Sequence, residues 1–546
     1  MKKFLSILMV LTMIFATTTT AFAAEDHTTT VSITNANGRT YVGYQLLDLT
    51  TSLKTGEHHP NDCDDTNHSD DCYNYAYTVN DKYTAILQKE VFDNGGNYLW
   101  EGGVKPANSG LITKDQILKY LSNQASDNNG TYATMRQVAD RIYRAILENN
   151  IEADAKKLTG SNDVIAQGYW VFADETNLDK ETNVSNSLVI VDTAGKDAIT
   201  INPKTALPTV EKKVKDIEDT EDSNIADNEW HDTADHDIGD SVPFKLTATL
   251  PSNAQGYQTY KLIFHDNLAD SLELKEETIR VYMYETLHRA NADFDLNDGK
   301  DVTDKFFKRT SEFADANCDL EVGCNNVFSI EGTTKDSVFV VYYEAVLGKN
   351  AIIGGNGNPN EVYLEYSNNP YGTGSGTTEI DKVTVFTYQL KINKVDGESH
   401  ALAGAEFTLY KKVLGENDPV LVAMDDLDAN PTTFTWTGLD DGDYILKETK
   451  VPSGYNGMAD IEFTITATHS QNEDGTLTLT SLDGGKMGLG DTVTGVIEEN
   501  IINNTGSVLP ETGAMGTFML IFGGAALVMI AAVFMITRKK MSVYED

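Results

Sequence analysis

Alternation of apolar and polar side chains at every second position recurs along most of this 546-residue chain. It restricts the possible folds more than any other feature. Val31-Ser32-Ile33-Thr34, Phe244-Lys245-Leu246-Thr247-Ala248-Thr249-Leu250 and Phe463-Thr464-Ile465-Thr466 each separate apolar from polar positions in this way. That period belongs to strands with one face buried. Helical spacing is convincing only in the first third. Asp115 to Leu121 is one such stretch; Thr134 to Leu147 is another, with Met135, Val138, Ala139, Ile142 and Ile146 on one face. The expected class is therefore mainly β, with a few helices near the N-terminus.

Punctuation divides the pattern. Pro203 and Pro208 bracket a short extended connector, the polar stretch Tyr371 to Thr377 closes a long strand, and a new alternation runs from about Thr387 to Asn504. The expected segments are 1–23, 24–204, 205–386, 387–505 and 506–546. The third and fourth have the size of immunoglobulin-like sandwiches, and the second is β-rich with the helices.

Charge narrows the function. Lys and Arg number 42 against 83 Asp and Glu, a formal net charge of −41 that repels nucleic acid and suits a soluble body held outside the cell. Four cysteines form two close pairs, Cys63 with Cys72 and Cys318 with Cys324. Outside the cell local disulfides are the expectation. A zinc site at Cys63 and Cys72, with His59 and His68, is the alternative. Asp293 to Asp304 approaches an EF-hand loop, but its glycine is displaced by one and its last ligand position is Asp304; a solvated acidic loop is the better reading. No nucleophile elbow, HExxH or P-loop occurs, so neither an enzyme, a cofactor nor a metal is expected.

The two ends read as addresses. Lys2 and Lys3 precede an apolar run from Phe4 to Ala16, and Ala21-Phe22-Ala23 suits signal peptidase, so the mature chain begins near Ala24 or Glu25. At the other end, Leu509-Pro510-Glu511-Thr512-Gly513 precedes 22 uncharged residues, Met515 to Ile536, then Arg538, Lys539 and Lys540. As a helix, the apolar segment would cover roughly 33 Å, enough to span a bilayer, with the basic tail kept inside. This order resembles the cell-wall sorting signal of Gram-positive surface proteins. The resemblance implies that a sortase cysteine attacks the Thr512 carbonyl, releases Gly513 onward and passes the acyl group to an amine. The membrane is then a transient partner and peptidoglycan a lasting one.

Further motifs lie between the ends. Leu390-Lys391-Ile392-Asn393-Lys394-Val395-Asp396, Leu402 to Phe407, Tyr444-Ile445-Leu446-Lys447-Glu448-Thr449 and Pro452-Ser453-Gly454-Tyr455 resemble a CnaB-type domain with the E-box of pilin subunits. Such domains form a spontaneous isopeptide bond. The resemblance implies Lys391 as nucleophile, Asn503 as acceptor and Glu448 as the assisting acid, with Lys394 as the competing nucleophile. If loop closure in a disulfide is a guide, joining ends about 110 residues apart is worth roughly 4–5 kcal/mol.

Pro208 to Val214, Ile238-Gly239-Asp240, Leu262 to Leu268 and Asn360 to Asn368 resemble a CnaA-type sandwich. Here the resemblance implies Lys212, Asp266 and Asn360, with Asp240 as a second candidate acid. Ala198-Ile199-Thr200-Ile201-Asn202-Pro203-Lys204 is similar to the pilin motif of sortase-assembled pili, with Asn202 where tyrosine is usual. Together these features resemble the major (backbone) pilin of Gram-positive pili. They imply a fimbrial shaft linked from Thr512 to Lys204 of the next subunit. The implied partners are pilin-specific and housekeeping sortases, further copies of the chain and minor pilins. A monomeric wall-anchored adhesin is the alternative.

Overall fold

The structure, a computed structural model, describes residues 27–506 apart from 35, 37, 54–72, 91–106, 125–134, 204–205, 218–229, 292–297, 311–317, 428 and 473–474. Strands dominate, and the buried apolar clusters fall into three successive regions of the chain.

In the first region, Tyr41–Leu53 is central to a five-stranded sheet. Tyr73–Val79 and Gly168–Asp174 flank it, and Leu188–Asp192 lies beyond. The helices Thr84–Glu90, Lys114–Gln124 and Met135–Glu148 cover one face. Thr113 opens the second helix with a reciprocal cap: its Oγ1 accepts from the Gln116 amide, while Gln116 Oε1 accepts from the Thr113 amide. Val138, Ala139, Ile142 and Ile146 bury the stripe read from the sequence. The short helix Thr84–Glu90 carries too few turns for that stripe to stand out. Thr28–Ile33 runs between Asp163–Ala166 and, in parallel, Ala198–Ile201. The first strand among the described residues therefore lies beside the segment that leads to Lys204.

The second region is a two-sheet sandwich. One sheet orders Trp230–His231, Thr209–Lys215, Ser241–Thr249, Val338–Leu347, Leu272–Tyr284 and Lys300–Asp301. The other orders Thr233–Asp235, Asp381–Phe386, Asn358–Ser367, Leu262–Leu268, Leu320–Cys324 and Phe307–Thr310, with Ser375–Thr377 on the side. Their facing positions, including Phe244, Leu246, Phe264, Val341 and Leu364, form one apolar core.

Phe386 ends the second region's sheet, and Tyr388–Asp396 begins the third. There a three-stranded sheet (Thr433–Leu439, Tyr388–Asp396, Val496–Asn503) packs on a five-stranded one through Trp436, Phe407, Leu409 and Ile465. First and last strands of this domain run parallel, with Lys394 beside Ile501 and Asp396 beside Asn503.

The regions touch through specific polar contacts. Asn368 Nδ2 donates to the Leu178 carbonyl, Tyr366 Oη donates to the Val184 carbonyl at 3.1 Å, and Tyr371 Oη donates to Asp140. The polar stretch after Asn368 is thus a seat for the first region. At the other seam Gly354 and Gly495 approach so closely that a Cβ on the former would lie 2.2 Å from the latter's Cα. Both have positive φ, at +57° and +67°, a conformation that favours glycine.

One sequence expectation fails here. Cys318 and Cys324 are free thiols. Cys324 turns into the core from the strand Leu320–Cys324, whereas Cys318 precedes that strand beyond a bend at Asp319 and lies against His265 on the outer face; the four strand steps from Leu320 to Cys324 alone cover roughly 13 Å. A disulfide needs less than about 7 Å. Cys63, Cys72, His59 and His68 lie outside the described residues, as do Asp293 and Asp295 of the acidic loop. Among the described residues no helix is long and apolar enough to cross a membrane; Met515 to Ile536 lies outside them.

Candidate functional site: two buried lysine–acid–asparagine clusters

In the second region, alternation along Thr209–Lys215 turns Lys212 and Val214 into the sandwich. Lys212 is completely buried, as are Asp266 and Asn360. Its Nζ donates to Asp266 Oδ2 at 2.5 Å and to Tyr343 Oη at 3.1 Å. Tyr343 Oη donates to Asp266 Oδ1 at 3.0 Å and accepts from Asn360 Nδ2 at 2.7 Å. One phenol therefore holds lysine, acid and amide together, while Asn360 Oδ1 is buried without a hydrogen bond.

The Phe244 and Tyr343 rings flank the ammonium at 5.5 and 5.6 Å. Burial pulls Lys212 down to about 8, with Asp266 opposing the fall. Burial pushes the Asp266 carboxyl up, and Lys212 opposes that rise. Both shifts favour a neutral amine beside a protonated acid. All three residues named from the sequence meet here, and Tyr343 was missed. Asp240 does not join them. It sits 3.8 Å from His236 near the third domain, where Lys411 Nζ bonds to Asp237 at 2.6 Å.

The third domain repeats the theme with different parts. Leu390, Ile392 and Lys394 are each fully buried on the inward face of Tyr388–Asp396. Three residues away, and so of opposite parity, Lys391 faces solvent and pairs with Glu498 at 2.9 Å, its side chain 35% exposed. The structure therefore corrects the first choice of nucleophile, because strand parity carries Lys391 away from Asn503. Lys394 Nζ donates to the Ile501 carbonyl at 2.9 Å, two residues before Asn503. Asn503 is buried, donates Nδ2 to Glu448 Oε1 at 2.7 Å and leaves Oδ1 without a partner. Glu448 Oε2 accepts from the Met458 amide at 3.0 Å. Burial pulls Lys394 below its ordinary value, with Glu448 opposing.

Leu509, Pro510, Glu511, Thr512, Gly513 and Lys204 lie outside the described residues. Upstream of Lys204, Asn202 Oδ1 accepts from Thr34 Oγ1 at 2.9 Å.

Residues 501–542 match the family described as the LPXTG cell wall anchor motif. The chain is a cell-wall-anchored surface protein. Residues 388–486, most of the third domain, match the prealbumin-like fold domain of the SpaA family. The chain is 26% identical over 267 residues to the trypsin-resistant surface T6 protein of Streptococcus pyogenes serotype M6, a match covering 46% of this chain and 44% of that one. Solved structures similar to this chain include two major pilins. The T6 backbone pilin of S. pyogenes has a TM-score of 0.44 and 16% identity, covering 89% of this chain and all of that one. BcpA, the major pilin subunit of Bacillus cereus, has a TM-score of 0.34 and 15% identity, covering 65% and 91%.

Proposed function

We propose that this chain is the shaft subunit of a sortase-assembled pilus, strengthened by two intradomain isopeptide bonds, Lys212–Asn360 and Lys394–Asn503. One observation carries the reading. In each of two successive β domains a fully buried lysine shares a cluster with a carboxyl group and a buried asparagine whose carbonyl oxygen lacks a partner. An unreacted buried lysine is costly for an ordinary sandwich, and the same arrangement is what amide exchange needs.

The neutral amine attacks the asparagine Cγ. Asp266 or Glu448 donates a proton to the carbonyl oxygen as the tetrahedral centre forms, then recovers it as that centre collapses. One Nζ proton passes to the amide nitrogen, the Cγ–N bond to that nitrogen breaks, ammonia leaves, and a Cγ–Nζ bond remains. A buried lysine loses its proton readily enough to serve as nucleophile. Tyr343 positions the domain-two set. Each product links a first strand to a late one, so tension passes through a covalent bond.

Polymerisation uses the chain's ends. A sortase thiolate displaces Gly513 from the Thr512 carbonyl, and the Lys204 amine of the next subunit displaces the thiolate. A head-to-tail link of this kind does not close, so it extends into a filament. The LPXTG match and the likeness to the surface T6 protein support the reading. On boiled wall extracts it predicts a ladder of high-mass bands that Lys204→Arg abolishes while monomer stays on the wall. A ladder that persists in that variant removes Lys204 from the role. A single band in the wild type leaves a monomeric adhesin.

A further inference from the structure

Away from both clusters, the outer face of the seven-stranded sheet gathers a histidine, a cysteine and a glutamate. His265 lies on Leu262–Leu268 and Glu321 directly opposite it on Leu320–Cys324; Cys318 precedes that strand by two residues. Alternation turns His265 away from the core that takes Phe264 and Asp266. His265 and Glu321 are nonetheless buried, each 6% exposed, and Cys318 is half-buried. His265 Nδ1 lies 3.7 Å from Cys318 Sγ and 3.5 Å from Glu321 Oε1, and all three donor atoms fall within 4.8 Å of one another.

Those separations have a chemical meaning. Tetrahedral zinc holds nitrogen at about 2.0–2.1 Å, oxygen at a similar distance and sulfur at about 2.3 Å. Its ligand edges are then about 3.6 Å for N to S and about 3.4 Å for N to O. The surroundings complete the pattern. His265 Nε2 lies 3.3 Å from Glu365 Oε2, so that carboxylate can accept a hydrogen bond from Nε2–H and leave Nδ1 a free lone pair. Lys261 holds the other Glu365 oxygen at 2.9 Å. Arg309 lies 3.2 Å from Glu321 Oε2, which leaves Oε1 for a ligand. The Tyr363 ring stacks on His265 with centroids 4.7 Å apart.

We infer that His265 Nδ1, Cys318 Sγ and Glu321 Oε1 bind a divalent transition-metal ion of the zinc type, with a fourth position left for water. Thiolate and carboxylate together balance the ion's charge, and the Cys318 proton passes to solvent on binding. Sulfur and imidazole select zinc, cobalt or copper over calcium and magnesium. The ion clips Leu320–Cys324 to Leu262–Leu268, the strand that carries Asp266. No metal was expected from the sequence, because His265 and Cys318 stand 53 residues apart and only strand register joins them.

The test uses the full chain, reduced, with Cys63→Ser and Cys72→Ser so that those thiols are absent. Cobalt(II) should add one equivalent with thiolate-to-cobalt charge-transfer absorption, and zinc should displace it. Cys318→Ser should abolish that band, Cys324→Ser should keep it, and Glu365→Gln should weaken binding tenfold or more. Zinc should also raise, and a chelator lower, the melting temperature of the chain that retains Cys318, a reading that does not depend on the variants folding. Absence of the band, its survival in Cys318→Ser, or a melting temperature indifferent to zinc overturns the site.

Discussion

The clusters of the second and third domains set the same three functional groups in different surroundings. Around Lys212 everything is sealed: amine and acid are in contact, a phenol bridges both to the amide, and two aromatic rings close the sides. Around Lys394 the amine rests on a backbone carbonyl, while a half-buried Glu448 already grips the Asn503 amide and the Met458 N–H. The contrast separates two ways of preparing a lysine for attack. One supplies an acid inside a dry core. The other anchors the acid near the surface and lets burial of the amine alone lower its basicity. The first should depend on Asp266 for stability as well as reaction; the second should tolerate loss of its acid far better.

The largest effect should therefore come from Asp266→Ala. It leaves Lys212 buried without its counter-charge and with only the Tyr343 hydroxyl beside it, which costs about 3–5 kcal/mol, and it removes the bond, worth about 5 kcal/mol by loop closure. Calorimetry should show the second domain melting far earlier, whereas Glu448→Ala should cost only its bond. Equal losses in the two variants would erase the distinction between the clusters. Next, Lys394→Ala should restore one ammonia's mass and forfeit about 4–5 kcal/mol.

The third prediction concerns pH and uses Asn360→Ala, in which Lys212 stays unreacted. Lys212's folded-state value, about 8, lies below its ordinary one of 10.5. Between them the unfolded chain binds more protons, so stability should rise with pH across that window. Lys245, also pulled down to about 8 by burial beside Trp230, adds to the same slope. The part belonging to Lys212 is the difference between Asn360→Ala and the double variant Asn360→Ala with Lys212→Met. Identical slopes in the two would mean that the buried amine does not titrate as described. The smallest effect belongs to Lys391→Ala. Its exposed pair with Glu498 should be worth about 0–1 kcal/mol, with no change in mass.

Much of this was legible because strands announce themselves by alternation. The inward stripes of Ser241–Thr249 and Tyr388–Asp396, and the helical stripe of Met135–Glu148, follow from side-chain period alone. What escaped was parity and register. Lys391 and Lys394 differ by three positions, so a strand start misjudged by one residue exchanges the buried amine for the exposed one. Tyr343 hides for the same reason. It stands beside Tyr342 in an apolar run, and only the placed sheet shows that Tyr343 points to Asp266 while Tyr342 faces Glu344. Cys318 and Cys324 misled in the opposite sense, since neighbours along an extended strand are far apart in space.

The central claim is that two domains each carry a self-made lysine–asparagine bond, and intact mass tests it most directly. After reduction, the mature chain should weigh two ammonia masses less than its sequence. Lys212→Ala and Lys394→Ala should each weigh one ammonia less than their own sequences, and Lys391→Ala should still lack two. A wild-type chain at full sequence mass would contradict the account. So would a Lys394→Ala chain that still lacks two ammonia masses.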